Sequence, residues 1–147
     1  MTAIEAVKLD GLYESDETAW LEAMSTLAGA RRFAEMDTRN LSEYLADMAK
    51  RDRREVLSRL IVLLTHLIKW ECQQDRRTGS WRATIREQRR QLREILESGT
   101  LRNHAAAVLL GAYDAARRLA ADETELDLDT FPVDNPWGLD EIVGAES

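Results

Sequence analysis

Residues 56–70, VLSRLIVLLTHLIKW, decide the fold of this chain. Ten of these fifteen residues are apolar, and most of them recur at the spacing of an α-helix. One broad stripe is formed by Leu57, Leu60, Ile61, Leu64, Leu67 and Ile68, and the opposite side carries Val62, Leu63 and Trp70. A helix that is apolar most of the way round is buried by its neighbours. The stretch therefore predicts a central helix that other helices cover, or one that buries its second side against another copy of the chain.

Working outward, glycines and capping residues divide the chain into further helical segments. A first helix is expected from Ser15 or Asp16 to near Gly29. The central, second helix is expected from Asn40, with Glu43 completing a capping box, to about Gln73. Within it, residues 50–55, KRDRRE, predict a bend or an exposed turn. A third helix, capped by Thr78 or Ser80, runs to about Ser98, and Thr100 caps a fourth.

After Glu123 the helical pattern fails, and the acidic stretch ETELDLDTFPVDNPW contains both prolines of the chain. It predicts an extended tail, anchored by Phe131 and Trp137, with one helical turn near residues 139–143. With 147 residues the chain suits one domain. We therefore expect an all-α, single-domain bundle of about four main helices, with a long central second helix and an acidic C-terminal tail. The domain is expected over residues 13–143, after a poorly ordered segment 1–12 and before a C-terminal end at 144–147.

Charge is strongly segregated along the sequence. The net charge is −7, from 20 basic and 27 acidic residues, yet residues 50–93 hold 13 basic and 5 acidic side chains. The last 26 residues hold nine acidic side chains and no basic one. Overall acidity argues against unspecific coating of nucleic acid, because the summed field repels phosphates. Two interpretations stay open: the two kinds of segment pair inside the fold, or the basic region binds an anionic partner.

Apolar runs are too short for a membrane span. The longest uninterrupted run, residues 60–64, has five residues, whereas a spanning helix needs about 20. The N-terminus lacks a basic start followed by an apolar run, so no signal peptide is expected. The single Cys72 excludes a disulfide within the chain. We expect a cytoplasmic protein without membrane contact.

The segment SWRATIREQRR at residues 80–90 resembles a bacterial family known as domain of unknown function 29. The similarity extends over about residues 13–143. Its other landmarks are Tyr13, Ala19-Trp20, Asp37, Asn40-Leu41, His66-Leu67, Lys69-Trp70, Arg76-Arg77, Tyr113, Phe131-Pro132 and Pro136-Trp137. The chain departs from the family pattern at Glu71 and Cys72, where the family often has an aromatic or hydrophobic residue. The resemblance implies a compact all-helical fold and implies no activity.

The predicted third helix carries an arginine face, which we define as Arg82, Arg86, Arg89 and Arg93. At 100° per residue these four fall within an arc of about 60°, beside an apolar stripe that begins at Trp81. The candidate binding set is completed by Trp81 and by Arg76 and Arg77, which lie just before the helix. Arginine binds carboxylate or phosphate through its planar guanidinium. Three interpretations stay open: ion pairs with acids of the first helix or the tail, a phosphate-bearing partner such as RNA, DNA or a nucleotide, and an acidic protein.

Catalytic motifs are not recognisable in the sequence. His66 and Trp70 stand one turn apart and form a candidate buried polar site, while Cys72 is expected to be a small apolar filler. The histidines and the cysteine have no metal-ligand spacing, and the scattered glycines form no phosphate loop. We therefore predict no catalytic residue, no metal and no cofactor. The expected function is a non-enzymatic module that binds a protein partner or itself; the alternative is an RNA- or DNA-binding module using the arginine face.

Overall fold

The apolar stretch 56–70 lies in a single long helix, α3, which runs over Thr38–Cys72 in a computed structural model. The structure describes residues 3–144, with the backbone alone for residues 3–7. Helix α3 passes without interruption through residues 50–55, for which the sequence predicts a bend or turn. Every residue from 49 to 55 is exposed, so this part of α3 is in contact with water on all its sides. Good helix formers hold the helical backbone there without tertiary packing.

Six α-helices and no strand are present among residues 3–144, and the all-α prediction is confirmed. The other helices are α1 (Ala3–Ser15), α2 (Glu17–Gly29), α4 (Gly79–Ile95), α5 (Gly99–Thr124) and α6 (Leu139–Val143). Short 3-10 turns lie at Phe33–Glu35, Gln74–Arg76 and Leu128–Thr130. Helices α2 to α5 correspond to the four that the sequence predicts, and α6 to the predicted turn near the end. Helix α1 was not predicted.

The ends of the chain differ from expectation or lie outside the described part. The segment 1–12, expected to be poorly ordered, contains α1 from Ala3 onward. Residues 1–2, and residues 145–147 of the predicted C-terminal end, lie outside the described residues. By its packing the chain divides into two compact units, Met1–Lys50 and Arg51–Ser147, with the boundary inside α3. A single domain over residues 13–143 stays a prediction, as does the packing of four helices into one bundle.

In the first unit an aromatic group and an amide network hold the helices. Trp20 is fully buried, and its ring centroid lies 4.7 Å from that of Tyr13 and 5.8 Å from that of Tyr44. The Trp20 indole Nε1 donates a hydrogen bond to Asp37 Oδ2 at 3.0 Å. Because a buried N–H without a partner is costly, this bond fixes the start of α3 against α2.

The capping-box pattern predicts Asn40 as the cap of α3, and the structure shows that this prediction is wrong. Asn40 lies inside the helix, and its backbone N–H donates to Asp37 Oδ1 at 3.4 Å. Its side-chain amide donates to Asp10 at 2.6 Å and to Asp37 at 2.8 Å. Asp37 therefore does the capping, because a carboxylate accepts both the free N–H groups of the first turn and the neighbouring amide. Likewise Ser98, rather than Thr100, caps α5 by accepting a hydrogen bond from the backbone N–H of Leu101 at 3.3 Å.

In the second unit the stretch 56–70 forms the centre of the hydrophobic core. Its fully buried members are Val56, Leu60, Leu63, Leu64 and Ile68. They pack in one cluster with side chains of α4, α5, α6 and Phe131, among them Ile85, Leu92, Ala112, Tyr113 and Ile142. Within the second unit, this stretch thus has the central position that the sequence predicts.

The chain after α5 is held to the second unit at Phe131 and Pro132. Phe131 is 1% exposed and belongs to the core cluster. Arg117, itself buried, donates from Nε to the Phe131 carbonyl at 3.1 Å, and the Tyr113 hydroxyl donates to the Pro132 carbonyl at 2.6 Å. These contacts fix the acidic stretch that begins at the end of α5.

Candidate functional site

Helix α4 places the arginine face by burying its other side. Thr78 caps the helix by accepting a hydrogen bond from the backbone N–H of Trp81 at 3.2 Å. Ile85 and Leu92 are buried in the core of the second unit. The four arginines of the face follow one another at intervals of four, three and four residues, so they share one side of the helix. Of these, Arg82 and Arg86 are exposed. Arg89 and Arg93, whose guanidiniums reach main-chain carbonyls of α6, are half-buried.

Main-chain carbonyls at the C-terminal end of α6 hold two guanidiniums of the arginine face. Arg89 Nε donates to the Ile142 carbonyl at 3.0 Å, and Arg93 Nη1 donates to the Val143 carbonyl at 3.0 Å. A helix C-terminus carries partial negative charge, so these bonds are favourable. They use only part of the five donors of each guanidinium and leave its full positive charge without a compensating carboxylate. Burial, and then the neighbouring charge of Arg93, lower the pKa of Arg89.

At the other end of α4, guanidiniums stack on Trp70. The guanidinium carbon of Arg77 lies 4.5 Å from the ring centroid of Trp70, and that of Arg82 lies 5.8 Å from it. Arg77 Nε also donates to the Trp70 carbonyl at 2.8 Å, which satisfies the end of α3. Each cation–π contact at an exposed site contributes about 0.5–1 kcal/mol. Trp70 therefore orients two of the predicted binding arginines.

The remaining members of the predicted set differ in their surroundings. Arg76 and Arg86 are exposed, and within the described residues the side chain of neither makes a hydrogen bond or an ion pair. Trp81 is half-buried, and Lys69 Nζ lies 5.0 Å from its ring centroid. That ammonium also pairs with Glu123 at 2.7 Å. Trp81 thus contacts Lys69, the buried partner of exposed Glu123.

None of the six arginines in the predicted set pairs with a carboxylate of residues 51–144, the described part of the second unit. The ion pairs of this region belong to other side chains, such as Arg90 with Glu87 at 2.7 Å and Arg59 with Glu55 at 2.9 Å. Pairing of the arginine face with acids of residues 122–144 is therefore not what the geometry shows, while pairing with acids of the first helix stays a prediction. Carbonyls and an indole ring orient these guanidiniums without cancelling their charge.

A groove between α3 and α4, which we call the Trp70 groove, adjoins the arginine face. Its cavity is about 250 Å³ and is lined by Leu67, Trp70, Glu71, Arg82, Ile85 and Arg89. A second, shallower depression of about 240 Å³ lies along the arginine face itself, above Ile85. Apolar side chains thus form the floor, arginines form one wall, and the single acid Glu71 stands at the edge.

His66, predicted with Trp70 as a buried polar site, is half-buried and turned toward its own helix. Its Nδ1 lies 2.8 Å from the Val62 carbonyl one turn earlier. Cys72, expected to be an apolar filler, is exposed. Burial of part of the thiol and the nearby Glu71 raise the pKa of Cys72, which lowers its thiolate fraction and its nucleophilicity.

Two further features bear on the predicted sites. Among the described residues, no group of three or more His, Cys, Asp or Glu side chains is placed to hold a metal ion. No described helix combines the length and the apolar character that crossing a bilayer requires.

The sequence did not reveal that α6 carbonyls hold Arg89 and Arg93. The only available signal was the apolar pair Ile142 and Val143, which pulls α6 onto the core.

The fold and this surface define an all-helical protein with an arginine face that no carboxylate of the described residues neutralises. Comparison with families of known sequence assigns it: the model of the domain of unknown function DUF29 matches residues 12–146. The chain belongs to this family, as the resemblance of residues 80–90 predicts. Comparison with curated proteins and with solved structures finds no match.

Proposed function

We propose that this protein is a non-enzymatic interaction module that binds an acidic segment of a protein partner on the arginine face. The observation that carries the proposal is the lack of carboxylate partners for Arg82, Arg86, Arg89 and Arg93 within the described residues. Oriented guanidiniums with free donors are suited to carboxylates, and hydrogen bonds to charged groups contribute about 1.5–3 kcal/mol.

The Trp70 groove favours a protein partner over a nucleic acid. Its floor, formed by Leu67 and Ile85, offers a place for an apolar side chain, which the phosphate backbone of a nucleic acid lacks. Tryptophan and arginine are also the residues that contribute most binding energy in protein interfaces.

Two side chains that could act in catalysis support a non-enzymatic role. His66 is engaged with the carbonyl of Val62 on its own helix. The raised pKa of Cys72 leaves its thiol mostly protonated near neutral pH. Neither group faces the arginine face as an activated acid, base or nucleophile.

The proposal is tested by fluorescence anisotropy with a labelled peptide of Glu-Glu-Leu repeats. We expect this peptide to bind, and the matching Gln-Gln-Leu peptide to bind at least tenfold more weakly. The double variant Arg82→Glu with Arg86→Glu, whose side chains make no hydrogen bond within the described residues, should lose binding by a similar factor. The matched control is Arg53→Glu with Arg54→Glu, which makes the same charge change on exposed residues of α3.

Three outcomes overturn the proposal. In the first, the Glu-Glu-Leu peptide fails to bind. In the second, the peptide binds the arginine-face variant and the unchanged protein with equal affinity. In the third, single- or double-stranded DNA or RNA oligonucleotides bind the protein more tightly than the peptide, with affinity that falls steeply with salt. That last result establishes the nucleic-acid alternative in its place.

A further inference from the structure

An acidic segment follows α5 in the same unit as the arginine face. Residues 122–134, DETELDLDTFPVD, contain six carboxylates, and all six side chains are exposed. Within the described residues, Glu123 pairs with Lys69, and Asp129 lies 4.0 Å from Arg117. The other four, Asp122, Glu125, Asp127 and Asp134, make no ion pair there. This segment therefore presents negative charge that its own unit does not neutralise.

The acidic segment also exposes apolar side chains. Val133, two residues after buried Phe131, is 73% exposed, and Leu126 is 37% exposed. Exposed apolar groups among carboxylates match a surface that combines arginines with an apolar floor. The Trp70 groove and the arginine face are such a surface. The two surfaces are thus complementary in charge and in apolar character.

The acidic segment is fixed where it lies, and none of its carboxylates pairs with the arginine face of its own chain. Phe131 is buried in the core, and Arg117 and Tyr113 bind the carbonyls of Phe131 and Pro132. Leaving this position would expose Phe131 and break both hydrogen bonds. The segment of one copy can reach an arginine face without this cost only on another copy.

We infer that the arginine face of one copy binds residues 122–134 of a second copy of this chain. The inference rests on the proposed function, for which it names the partner. The two surfaces differ, so the contact is head-to-tail, and each added copy still has one free surface of each kind. Association of this type produces a series of oligomers that grows with concentration, or a closed ring.

Net charge does not prevent this association at physiological salt. Each copy carries −7, which repels another copy at long range. The Debye length is about 8 Å at 0.15 M salt, so distant charges are screened while contacting guanidinium and carboxylate groups are not. The arginine face extends about 16 Å along α4, from Arg82 to Arg93, which is long enough for several carboxylates.

Light scattering on the full chain tests the inference through complementation. The face variant is Arg82→Glu with Arg86→Glu, and the segment variant is Asp122→Lys with Asp134→Lys. We expect the unchanged protein to increase in mean mass with concentration from 16.8 kDa, and each variant alone to stay a monomer. Mixing the two variants should restore one contact and give a dimer that contains one copy of each. The control Arg53→Glu with Arg54→Glu should behave as the unchanged protein does, and circular dichroism verifies that every variant is folded.

The outcomes separate this inference from the proposed function. If the unchanged protein stays a monomer up to high micromolar concentration, self-association is overturned, and the peptide experiment decides separately whether the arginine face binds acidic segments. If the protein associates but the mixed variants form no dimer, the pairing of these two surfaces is overturned. If the Glu-Glu-Leu peptide also fails to bind, both proposals are overturned together.

Discussion

At the scale of single residues, polar atoms next to the core decide which contacts hold the chain. Tyr113 is 1% exposed, yet its hydroxyl reaches the carbonyl of Pro132 at 2.6 Å. Buried Arg117 likewise donates a hydrogen bond to the carbonyl of Phe131. Buried polar groups are stable only when they have a partner, so these side chains tie a segment without regular structure to α5.

Replacing Tyr113 with phenylalanine removes only the hydroxyl that binds Pro132. We expect Tyr113→Phe to lower the free energy of unfolding by about 1 kcal/mol, because one neutral hydrogen bond is lost while the ring still packs. Urea denaturation followed by circular dichroism measures the change. Tyr13→Phe is the matched control, since Tyr13 makes no hydrogen bond within the described residues. Equal stability losses in the two variants would contradict this account.

The carboxylate of Glu87 shows how a local ion pair sets a pKa. Hydrogen bonds from Arg90, and then from Gln91, lower the pKa of Glu87 from its ordinary value of 4.5 to about 2. Because the folded pKa is depressed, the contribution of this carboxylate is complete above about pH 4.5 and is lost as the pH falls toward 2. Arg90→Gln should raise the pKa of Glu87 without restoring the full ordinary value, since Gln91 remains. A carbon-detected NMR titration reads this directly, and an unchanged pKa in the variant refutes the assignment to Arg90.

At the scale of elements, the long helix α3 has two different parts. Residues 49–55 are exposed on every side, whereas the stretch 56–70 packs on several sides into the core of the second unit. Helical propensity and ion pairs such as Arg59 with Glu55 support the first part, and apolar burial supports the second. The helix continues from its exposed part into its buried part because its backbone hydrogen bonds form within the helix and do not require tertiary contacts.

Truncating a buried leucine of α3 tests the role of this core. Leu64→Ala removes a fully buried side chain and should lower the free energy of unfolding by about 2–5 kcal/mol, through lost burial and a residual cavity. Leu110→Ala is the matched control, because Leu110 in α5 is 80% exposed and its loss should change stability by less than about 0.5 kcal/mol. Chemical denaturation of both variants provides the comparison. A small loss for Leu64→Ala contradicts a central role for this stretch.

At the scale of the whole molecule, charge and packing are distributed unevenly along the chain. The chain divides into two compact units at Lys50 and Arg51, inside the exposed part of α3. Positive charge concentrates in residues 50–93 and negative charge in the segments on both sides. The boundary between the two units thus coincides with the start of the basic region at residue 50.

Hydrogen exchange should reveal this division. Amides of residues 51–55 lie in a helix without tertiary cover, so they open locally at low cost. We expect them to exchange at least tenfold faster than amides of residues 60–68, which open only when the core of the second unit is disrupted. Mass spectrometry of deuterated peptides, or NMR, resolves the two groups. Equal protection in both stretches would show that α3 opens as one cooperative unit.

Local patterns alone were enough for the all-α fold and the positions of α2 to α5. These features depend on the period of apolar side chains and on residues a few positions apart, such as Thr78 and Trp81. Asn40 was misplaced as a cap because Asp37, three residues earlier, competes for the same N–H groups. Helix α1 lacks a clear apolar stripe and was missed for that reason.

The partners of the arginine face were decided only by the tertiary structure. Arg89 and Arg93 bind carbonyls of residues 142 and 143, about 50 positions later in the chain. Every residue has a carbonyl, so no sequence pattern marks which one a guanidinium will reach. The sequence by itself therefore determined where the positive charge lies on its helix. Only the packing of α6 against α4, through the buried side chains Ile142 and Val143, decided that backbone carbonyls reach Arg89 and Arg93.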